Sequence, residues 1–443
     1  MRSTLSQMTL RSAAAAVLLL ALSAPGRAQL PNASPAAYGM SGNYTAMARG
    51  YEAVAWNPAN LAMPGRPAIS IGAMIIGGTV GMDPVDFKML HSFSGVVVDS
   101  ATKKSWVDLV RTSGRQRARI DGGLTPLALS VGPIGFQMGA STFMNFDVSP
   151  DAFEALMFGN AGLNGGQPKS LNLAGTGVET ATISAAAVSF ALPLPFHFTA
   201  GVLGSEHLAI GITGKYVLGN ALLIARDGGS VLGASSLAYS FPTIGPKGLD
   251  STDTYDPAVG LGTGTGADLS AAWSAGRWRV GALLENVFNS FKWDTTKLAY
   301  STGSGYFDKD TSYSNTGEKP YGQAPAALRS QIAGQKFTPA LNIGVAFNAT
   351  DFLTITADLH QQTGGDNAIS IGPKNRMGVG AELRIIPIIR LRGGVASVTD
   401  GWQAGAGLGV HLLGLELGVS GSLRRRGAAN EAGVMFGLVG IGH

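Results

Sequence analysis

The sequence predicts an all-β protein: a closed antiparallel transmembrane β-barrel of about fourteen strands, with an N-terminal luminal plug that contains short helices. Three observations support this prediction: an apolar composition, strand segments that alternate with a period of two, and connections that alternate between short and long. The chain has 443 residues, 63 of them glycine, and only 14% are charged. Soluble domains carry about 25% charged residues. Hydrocarbon rather than water is therefore expected to cover much of the surface.

Residues 1–28 have the pattern of a secretory signal peptide. Arg2 and Arg11 lie near an apolar run of about ten residues, Ala13–Leu22, and Gly26-Arg27-Ala28 supplies small residues before Gln29. The run is too short to span a bilayer as a helix. We therefore expect export across the inner membrane and localisation in the outer membrane of a Gram-negative-type bacterium.

Charge and cysteine content exclude several classes of function. Without residues 1–28, the 32 Lys and Arg fall to 29 against 28 Asp and Glu, so the basic balance belongs mostly to the signal peptide. Nucleic-acid binding is not indicated. The absence of cysteine excludes disulfides and thiolate chemistry. No later apolar run is long enough for a transmembrane helix, and only helices and closed barrels satisfy their backbone in lipid, so a membrane-embedded chain must be a barrel.

Alternating apolar and small or polar residues define the strands. In 352–360, Leu353, Ile355 and Leu359 alternate with Thr354, Thr356, Asp358 and His360, which places the two sets on opposite faces. Segments of about ten residues with this pattern are typical of outer-membrane strands. Strands are predicted at 68–78, 122–131, 134–146, 179–192, 206–219, 266–275, 277–287, 338–348, 352–362, 375–385, 388–397, 402–411, 413–421 and 431–442.

The connections between these strands alternate in length. Gly132-Pro133 and Ala275-Gly276 join neighbouring strands directly, whereas 79–121 and 288–337 are long. Short turns at one end and long loops at the other match a bacterial barrel with both termini in the periplasm. Within the long loops, Ser149-Pro150 predicts a helix start, 84–112 is compatible with one or two short helices, and 228–241 with an additional hairpin.

The stretch YEAVAWNPANLA, residues 51–62, lies before the first strand. Asn57 is a favourable N-cap and Pro58 a favourable first helical residue. The surrounding residues are small and apolar, which suits burial better than solvent. We therefore predict that 29–66 is a plug folded inside the barrel and that 67–443 forms the barrel.

This N-terminal segment resembles a known family. The carrying residues are AVAWNPANLA (53–62) and a preceding Gly-Asn-x-x-Ala-x-Ala-x-Gly pattern: Gly42, Asn43, Ala46, Ala48 and Gly50. Together they resemble the N-terminal hatch of FadL-type outer-membrane transporters and the related PorV-type proteins, and the runs 375–397 and 401–420 resemble the last hairpins of that superfamily. The resemblance implies fourteen strands, a luminal hatch with Asn57, Pro58 and Ala59 as its motif, and a hydrophobic ligand path that exits sideways.

The polar face of the strands carries charges of both signs. The predicted luminal polar residues are Arg277, Arg279, Glu285, Asp358, His360, Glu382, Arg384, Arg390, Arg392 and Glu416. One interpretation is a structural network that fills the barrel and holds the plug. The other is that Arg384, Arg390 and Arg392 meet an anionic ligand such as a carboxylate, which the rigid guanidinium suits. Trp278 and Trp402 fall on the apolar face.

Three functions remain open. The first is passive uptake of hydrophobic small molecules such as fatty acids or hydrocarbons; the second is a PorV-like accessory role in protein secretion; the third is purely structural. We expect no enzymatic activity, because no Gly-x-Ser-x-Gly nucleophile motif is present. No cofactor or metal is expected. The expected partners are outer-membrane lipids, a hydrophobic ligand and the barrel-assembly machinery, with no nucleic acid, and the chain is expected to be a monomer.

Overall fold

A computed structural model describes residues 34–199, 202–248, 260–363, 369, 373–399, 401–412, 414–426 and 429–441. The predicted signal peptide 1–28 and residues 29–33 of the predicted plug lie outside these ranges.

A closed antiparallel barrel of fourteen strands forms the body of the protein. Each barrel strand pairs with the next along the chain, and the last pairs with the first from Ile71–Ile441 to Met82–Asn430, so the barrel is closed. The strands are β1 Ile69–Asp83, β2 Gln116–Val131, β3 Ile134–Val148, β4 Gly177–Leu194, β5 Glu206–Arg226, β6 Gly262–Ala275, β7 Trp278–Asn289, β8 Ala340–Asn348, β9 Leu353–Gln362, β10 Asn375–Ile386, β11 Ile389–Val398, β12 Gly401–Leu412, β13 Leu415–Arg426 and β14 Ala429–Ile441.

All fourteen predicted strands are present. The differences are largest at the long-loop ends, where for example β5 continues to Arg226 rather than 219, β2 begins at Gln116 rather than 122 and β1 continues to Asp83 rather than 78. Sequence alternation does not show the extension of β2, because polar residues such as Gln116 and Arg117 stand there at adjacent positions and therefore on both faces. The fold class predicted from the sequence is confirmed.

The outer surface of the barrel is apolar and the inner surface is polar. In β9, Ile355 and Leu359 are exposed, whereas Thr356, Asp358 and His360 are buried. Such exposed apolar side chains recur on strands throughout the barrel: Ile76, Ile212, Ile343, Met377, Val379, Val395, Leu417, Leu423, Val434 and Phe436. Trp278 and Trp402 also face outward. An apolar belt on a closed sheet is the arrangement that a bilayer requires, so the barrel is a transmembrane one.

The two ends of the barrel differ. At the short-turn end, Gly132 and Gly276 adopt positive φ values of 55° and 54°, a conformation that glycine adopts readily, in the turns between β2 and β3 and between β6 and β7. At the long-loop end, the connections 84–115, 149–176 and 290–339 are long, although β11–β12 and β13–β14 are joined by only two residues.

Short helices lie in the N-terminal segment and in the long loops. The helices of the described chain are α1 Pro35–Gly39, α2 Ala53–Trp56, α3 Phe87–His91, α4 Ser100–Ser113, α5 Pro150–Phe158 and α6 Ala326–Gly334, with 3₁₀ turns at Gly50–Glu52, Pro58–Ala62 and Tyr321–Gln323. Ser149 caps α5 by accepting from the amide of Ala152, as its position before Pro150 predicts. Trp106 and Val110 of α4 pack against Phe153 of α5. No helix in the described chain is long and apolar enough to cross a membrane.

Short strands add to the loops. The pair Val231–Leu232 and Leu237–Ser240 forms the hairpin predicted within 228–241. It joins a small sheet with Leu171–Asn172, Ser304–Phe307 and Ser312–Asn315. The remaining short strands extend the barrel edge towards the loops: Thr243–Pro246, Lys292–Trp293, Leu298–Ser301 and Glu318–Pro320.

The N-terminal segment lies within the barrel. Residues 34–66, called the plug below, contact strands on every side of the lumen, including β1, β5, β6, β11 and β13. Ala37, Met40, Ala48, Ala53 and Ala59 of the plug are almost fully buried. The small apolar composition therefore serves packing inside the lumen.

Candidate functional site

Asn57 holds one end of the plug. It is fully buried, and its side-chain oxygen accepts a hydrogen bond of 3.2 Å from the amide of Ala59, so it caps the 3₁₀ turn that Pro58 begins. Its amide nitrogen donates to the carbonyl of Ala271 in β6 at 3.1 Å. Asn57 therefore shapes the turn and ties it to the wall. The Ala59 amide also donates to Ser270 at 2.9 Å.

Asn43 and Thr45 hold the opposite side of the plug. The Asn43 side chain donates to Met40 within the plug at 2.7 Å and to the Val379 carbonyl of β10 at 3.1 Å. The amide of Thr45 donates to the carboxylate of Asp358 in β9 at 2.9 Å. Hydrogen bonds to strands on both sides of the lumen therefore hold the plug in place.

Inward-facing glycines of the wall make room for the plug backbone. A Cβ at Gly211 of β5 would lie 2.5 Å from the Ala59 nitrogen, and one at Gly281 of β7 would lie 2.5 Å from the Asn57 side chain. At Gly405 of β12 it would lie 2.8 Å from the carbonyl of Gly39. These separations are far below van der Waals contact. Part of the high glycine content therefore reflects the fit between wall and plug.

A cavity of about 190 Å³ lies between the plug and the long loops. We call it the upper cavity. One side combines apolar side chains and bare backbone with a few small polar groups and one carboxylate: Tyr38, Ala55, Trp56, Gly77, Gly78, Thr79, Asp121, Gly122, Gly123, Ser141, Thr142, Phe143 and Met435. The other side is polar: Lys215, Asp268, Glu285, Asn342, His360, Arg376, Gln403 and Arg424. A ligand with an apolar body and a small polar group would match both sides.

The polar side of the upper cavity is mostly internally paired. Lys215 contacts Asp268 at 2.6 Å, and both side chains are at most 5% exposed. Asn342 bridges the two neighbouring strands, because it donates to Glu285 at 2.6 Å and lies 2.6 Å from the His360 ring nitrogen. These contacts fill the lumen and fix its shape.

Arg376 is paired less completely. It donates to the Gly42 carbonyl at 2.9 Å and lies over the Trp56 ring at 5.9 Å, while its buried Nε has no hydrogen-bond partner in the described chain. The guanidinium stacks on the indole through a cation–π contact. Arg376 and Trp56 therefore join the plug to β10 at the floor of the upper cavity.

A second cluster of charges lies towards the short-turn end. Arg392 contacts Glu382 at 2.7 Å and Glu416 at 2.9 Å. Arg384 also contacts Glu382, at 2.6 Å, and Arg390 contacts Glu416 at 2.9 Å. Two carboxylates thus hold three arginines in one network, which favours the structural interpretation of this set. Beside it lies a cavity of about 160 Å³, called the lower cavity below.

Nine of the ten predicted luminal polar residues lie inside the barrel. Glu285 and His360 line the upper cavity, and Arg279, Glu382, Arg384 and Arg390 line the lower one. The prediction for Arg277 was wrong. Arg277 lies exposed in the β6–β7 turn and donates to the Ala349 carbonyl at 3.1 Å, because β7 begins one residue later than predicted.

Several residues of the site were missed from the sequence. Lys215 and Asp268 were detectable, since the alternation of Ile210, Ile212 and Tyr216 places Lys215 on the inner face. Arg376 and Arg424 stand at strand ends, where alternation is weakest. In the described chain, no group of three or more His, Asp or Glu side chains is arranged to hold a metal ion.

Beside the upper cavity, the residues of β1 that face the lumen change from one alternating set to the other. Met74 in β1 has a φ of 53° and, like Pro126 in β2, stands outside the paired register. Gly72 faces the plug before this point, and Gly77 faces the lumen after it, so inward positions shift by one residue. Just above, the pairs Gly77–Gly123 and Gly78–Gly122 leave a patch of wall without side chains.

Comparison with solved structures finds barrels of similar length. The toluene transporter TodX of Pseudomonas putida shares 10% identity over 93% of this chain and 98% of its own, with a TM-score of 0.49. The Ralstonia pickettii toluene transporter TbuX shares 12% over 93% and 98%, also at 0.49. A Pseudomonas aeruginosa FadL homologue, of the type that the N-terminal sequence resembles, shares 12% over 94% and 99%, at 0.46. No family model and no curated protein matches the sequence.

Proposed function

We propose that this protein is an outer-membrane channel for passive uptake of small hydrophobic molecules. The observation that carries the proposal is the upper cavity, which is bounded by the plug, including Trp56, and by a stretch of wall that includes Phe143, Met435 and four glycines. Its volume of about 190 Å³ suits a small aromatic or short aliphatic molecule. An engineered cavity of about 150 Å³ in another protein binds benzene.

The plug makes such a channel selective. Its backbone is bound to β6 through Asn57 and to β9 through Thr45, so the lumen beneath the upper cavity is occupied by protein. A molecule in this cavity can proceed only if the plug moves or the wall opens. The resemblance to FadL-type proteins implies a lateral exit, and the glycine patch beside Met74 and Pro126 is the candidate position for it.

Filling the upper cavity tests this proposal. Ala55→Phe places an aromatic ring into the cavity, whereas Ala357→Phe, its matched control, adds the same ring to the exposed outer face of β9. Cells that display each protein in the outer membrane are given a labelled monoaromatic hydrocarbon or a labelled fatty acid, and initial uptake rates are measured. We expect the native protein and Ala357→Phe to raise uptake equally, and Ala55→Phe to reduce it severalfold.

The two probes separate the substrate classes. Greater uptake of the hydrocarbon favours a path for small neutral molecules, and greater uptake of the fatty acid favours one for amphiphiles. Equal uptake by cells with and without the protein, for both probes, would contradict the proposal. Co-purification of secretion components under that outcome would favour the accessory role instead.

A further inference from the structure

The lower cavity has an unusual charge balance. Arg49, Arg279, Arg384 and Arg390 line it, together with one carboxylate, Glu382. Adding the nearest neighbours of the network, Arg392 and Glu416, gives five arginines against two glutamates. Glu382 and Glu416 are already shared among Arg384, Arg390 and Arg392. No carboxylate of that network is left to pair with the other two arginines.

Arg49 and Arg279 have no ion pair in the described chain. Arg49 donates only to the carbonyls of Ala46 and Ala48, at 3.3 and 2.8 Å. The side chain of Arg279 makes no hydrogen bond within the part of the chain that the structure describes. Glu52, the carboxylate of the plug, instead accepts hydrogen bonds from Ser34 at 2.5 Å and from Tyr44 at 2.6 Å.

The two guanidiniums are also close enough to influence each other. Burial, followed by the charge of Arg279, lowers the pKa of Arg49 to about 9. Two like charges without a direct ion pair around one cavity repel each other, and the repulsion grows as water is excluded. An anion bound between them removes that cost.

We propose that the lower cavity is a binding site for a small organic carboxylate, held by Arg49 and Arg279. Guanidinium groups match the two oxygens of a carboxylate, and charged hydrogen bonds of this kind are the strong ones. Tyr44, Met47, Pro64 and Pro67 supply the rest of the lining, so an apolar tail finds apolar contacts. The volume of about 160 Å³ admits a short-chain or aromatic acid.

This inference is separable from the proposed function. The site lies on the side of the plug that faces the short turns, and the upper cavity lies on the other side. Binding in the lower cavity can therefore be measured whether or not hydrocarbons pass through the upper one.

Calorimetry with octanoate tests the site. The full protein in mild detergent is titrated with octanoate, with octanol as the neutral probe and with inorganic phosphate. Arg279→Met removes one unpaired guanidinium, and Arg277→Met, two residues away in the exposed turn, is the matched control. We expect saturable binding of octanoate alone, unchanged in Arg277→Met and weakened roughly tenfold or more in Arg279→Met, which is the scale of one charged hydrogen bond.

Thermal unfolding without ligand provides a second readout. Because Arg279 makes no direct ion pair, Arg279→Met should raise the unfolding midpoint of the ligand-free protein, whereas a structural arginine would lower it. Arg279→Lys retains the charge and should recover part of the octanoate affinity. Equal affinities for octanol and octanoate, or equal affinities for phosphate and octanoate, would overturn the proposal. So would equal losses of octanoate affinity in Arg277→Met and Arg279→Met.

Discussion

Gly211→Ala should undock the plug while leaving the barrel folded. The added methyl group would lie 2.5 Å from the Ala59 nitrogen, 2.6 Å from the Ser270 hydroxyl and 2.7 Å from the Pro58 carbonyl carbon. Two of these atoms belong to plug backbone, which cannot move aside by changing a rotamer. The 3₁₀ turn that Asn57 caps must therefore shift away from β5.

Two losses set the free-energy cost of Gly211→Ala to the docked plug. Overpacking of a tight interior costs about 1–3 kcal/mol. Displacement also breaks the 2.9 Å hydrogen bond between Ala59 and Ser270, which is worth about 0.5–1.5 kcal/mol. A total of about 1.5–4.5 kcal/mol raises the population of undocked plug by a factor of about 10 to 2,000. The barrel strands keep their backbone hydrogen bonds, because the substitution leaves the backbone of β5 in place.

Trypsin cleavage and channel conductance measure undocking. Arg49 lies within the docked plug and should resist trypsin in the native protein, whereas an undocked plug exposes it. Single-channel recordings in planar bilayers should show larger or more frequent openings for Gly211→Ala. Retention of the folded, heat-modifiable band on detergent gels confirms that the barrel is intact.

Gly214→Ala on the same strand is the control. Gly214 faces outward, and a Cβ there meets no atom within 4 Å. This variant should behave as the native protein does. If Gly211→Ala showed native protease resistance and conductance, or if Gly214→Ala opened the channel equally, the fit between wall glycines and plug would not be what holds the plug.

Two further predictions concern buried and exposed charges. Lys215→Met leaves Asp268 buried without its partner and should destabilise the barrel by about 3–5 kcal/mol, measured as a lower unfolding midpoint, whereas Lys215→Met with Asp268→Leu should recover most of the loss. In α4, hydrogen bonds from the Thr102 amide and hydroxyl lower the pKa of Asp99 below its ordinary 3.8. The cap is therefore fully effective above about pH 4 and is lost as the pH falls through the folded-state value. Faster exchange of the Thr102 amide below that range, absent in Asp99→Asn, would show this, and pH-independent exchange in the native protein would contradict it.

The sequence was informative where local chemistry decides structure. Alternation in β9 predicted both its limits and its faces, and Asn57-Pro58 predicted the capped turn. The small apolar composition of the segment before the first strand also predicted a plug inside a barrel.

Other features depend on contacts between distant segments. Nothing local shows that Met74 and Pro126 stand opposite each other, outside the pairing, or that the inward-facing positions of β1 change there. The same is true of the Arg376–Trp56 contact, which joins residues far apart in the chain. Arg277 shows the limit of alternation at a turn, where a shift of one residue moves a charge from the lumen to the exterior.

Fluorescence quenching by brominated lipids tests whether lipid surrounds the barrel while the plug fills its lumen. Single-tryptophan proteins retaining only Trp402, which is 49% exposed on the outer face, or only Trp56, which lies in the plug, are reconstituted in vesicles of such lipids. We expect strong quenching of Trp402 and little quenching of Trp56. Equal quenching of both, or quenching of neither, would contradict this arrangement.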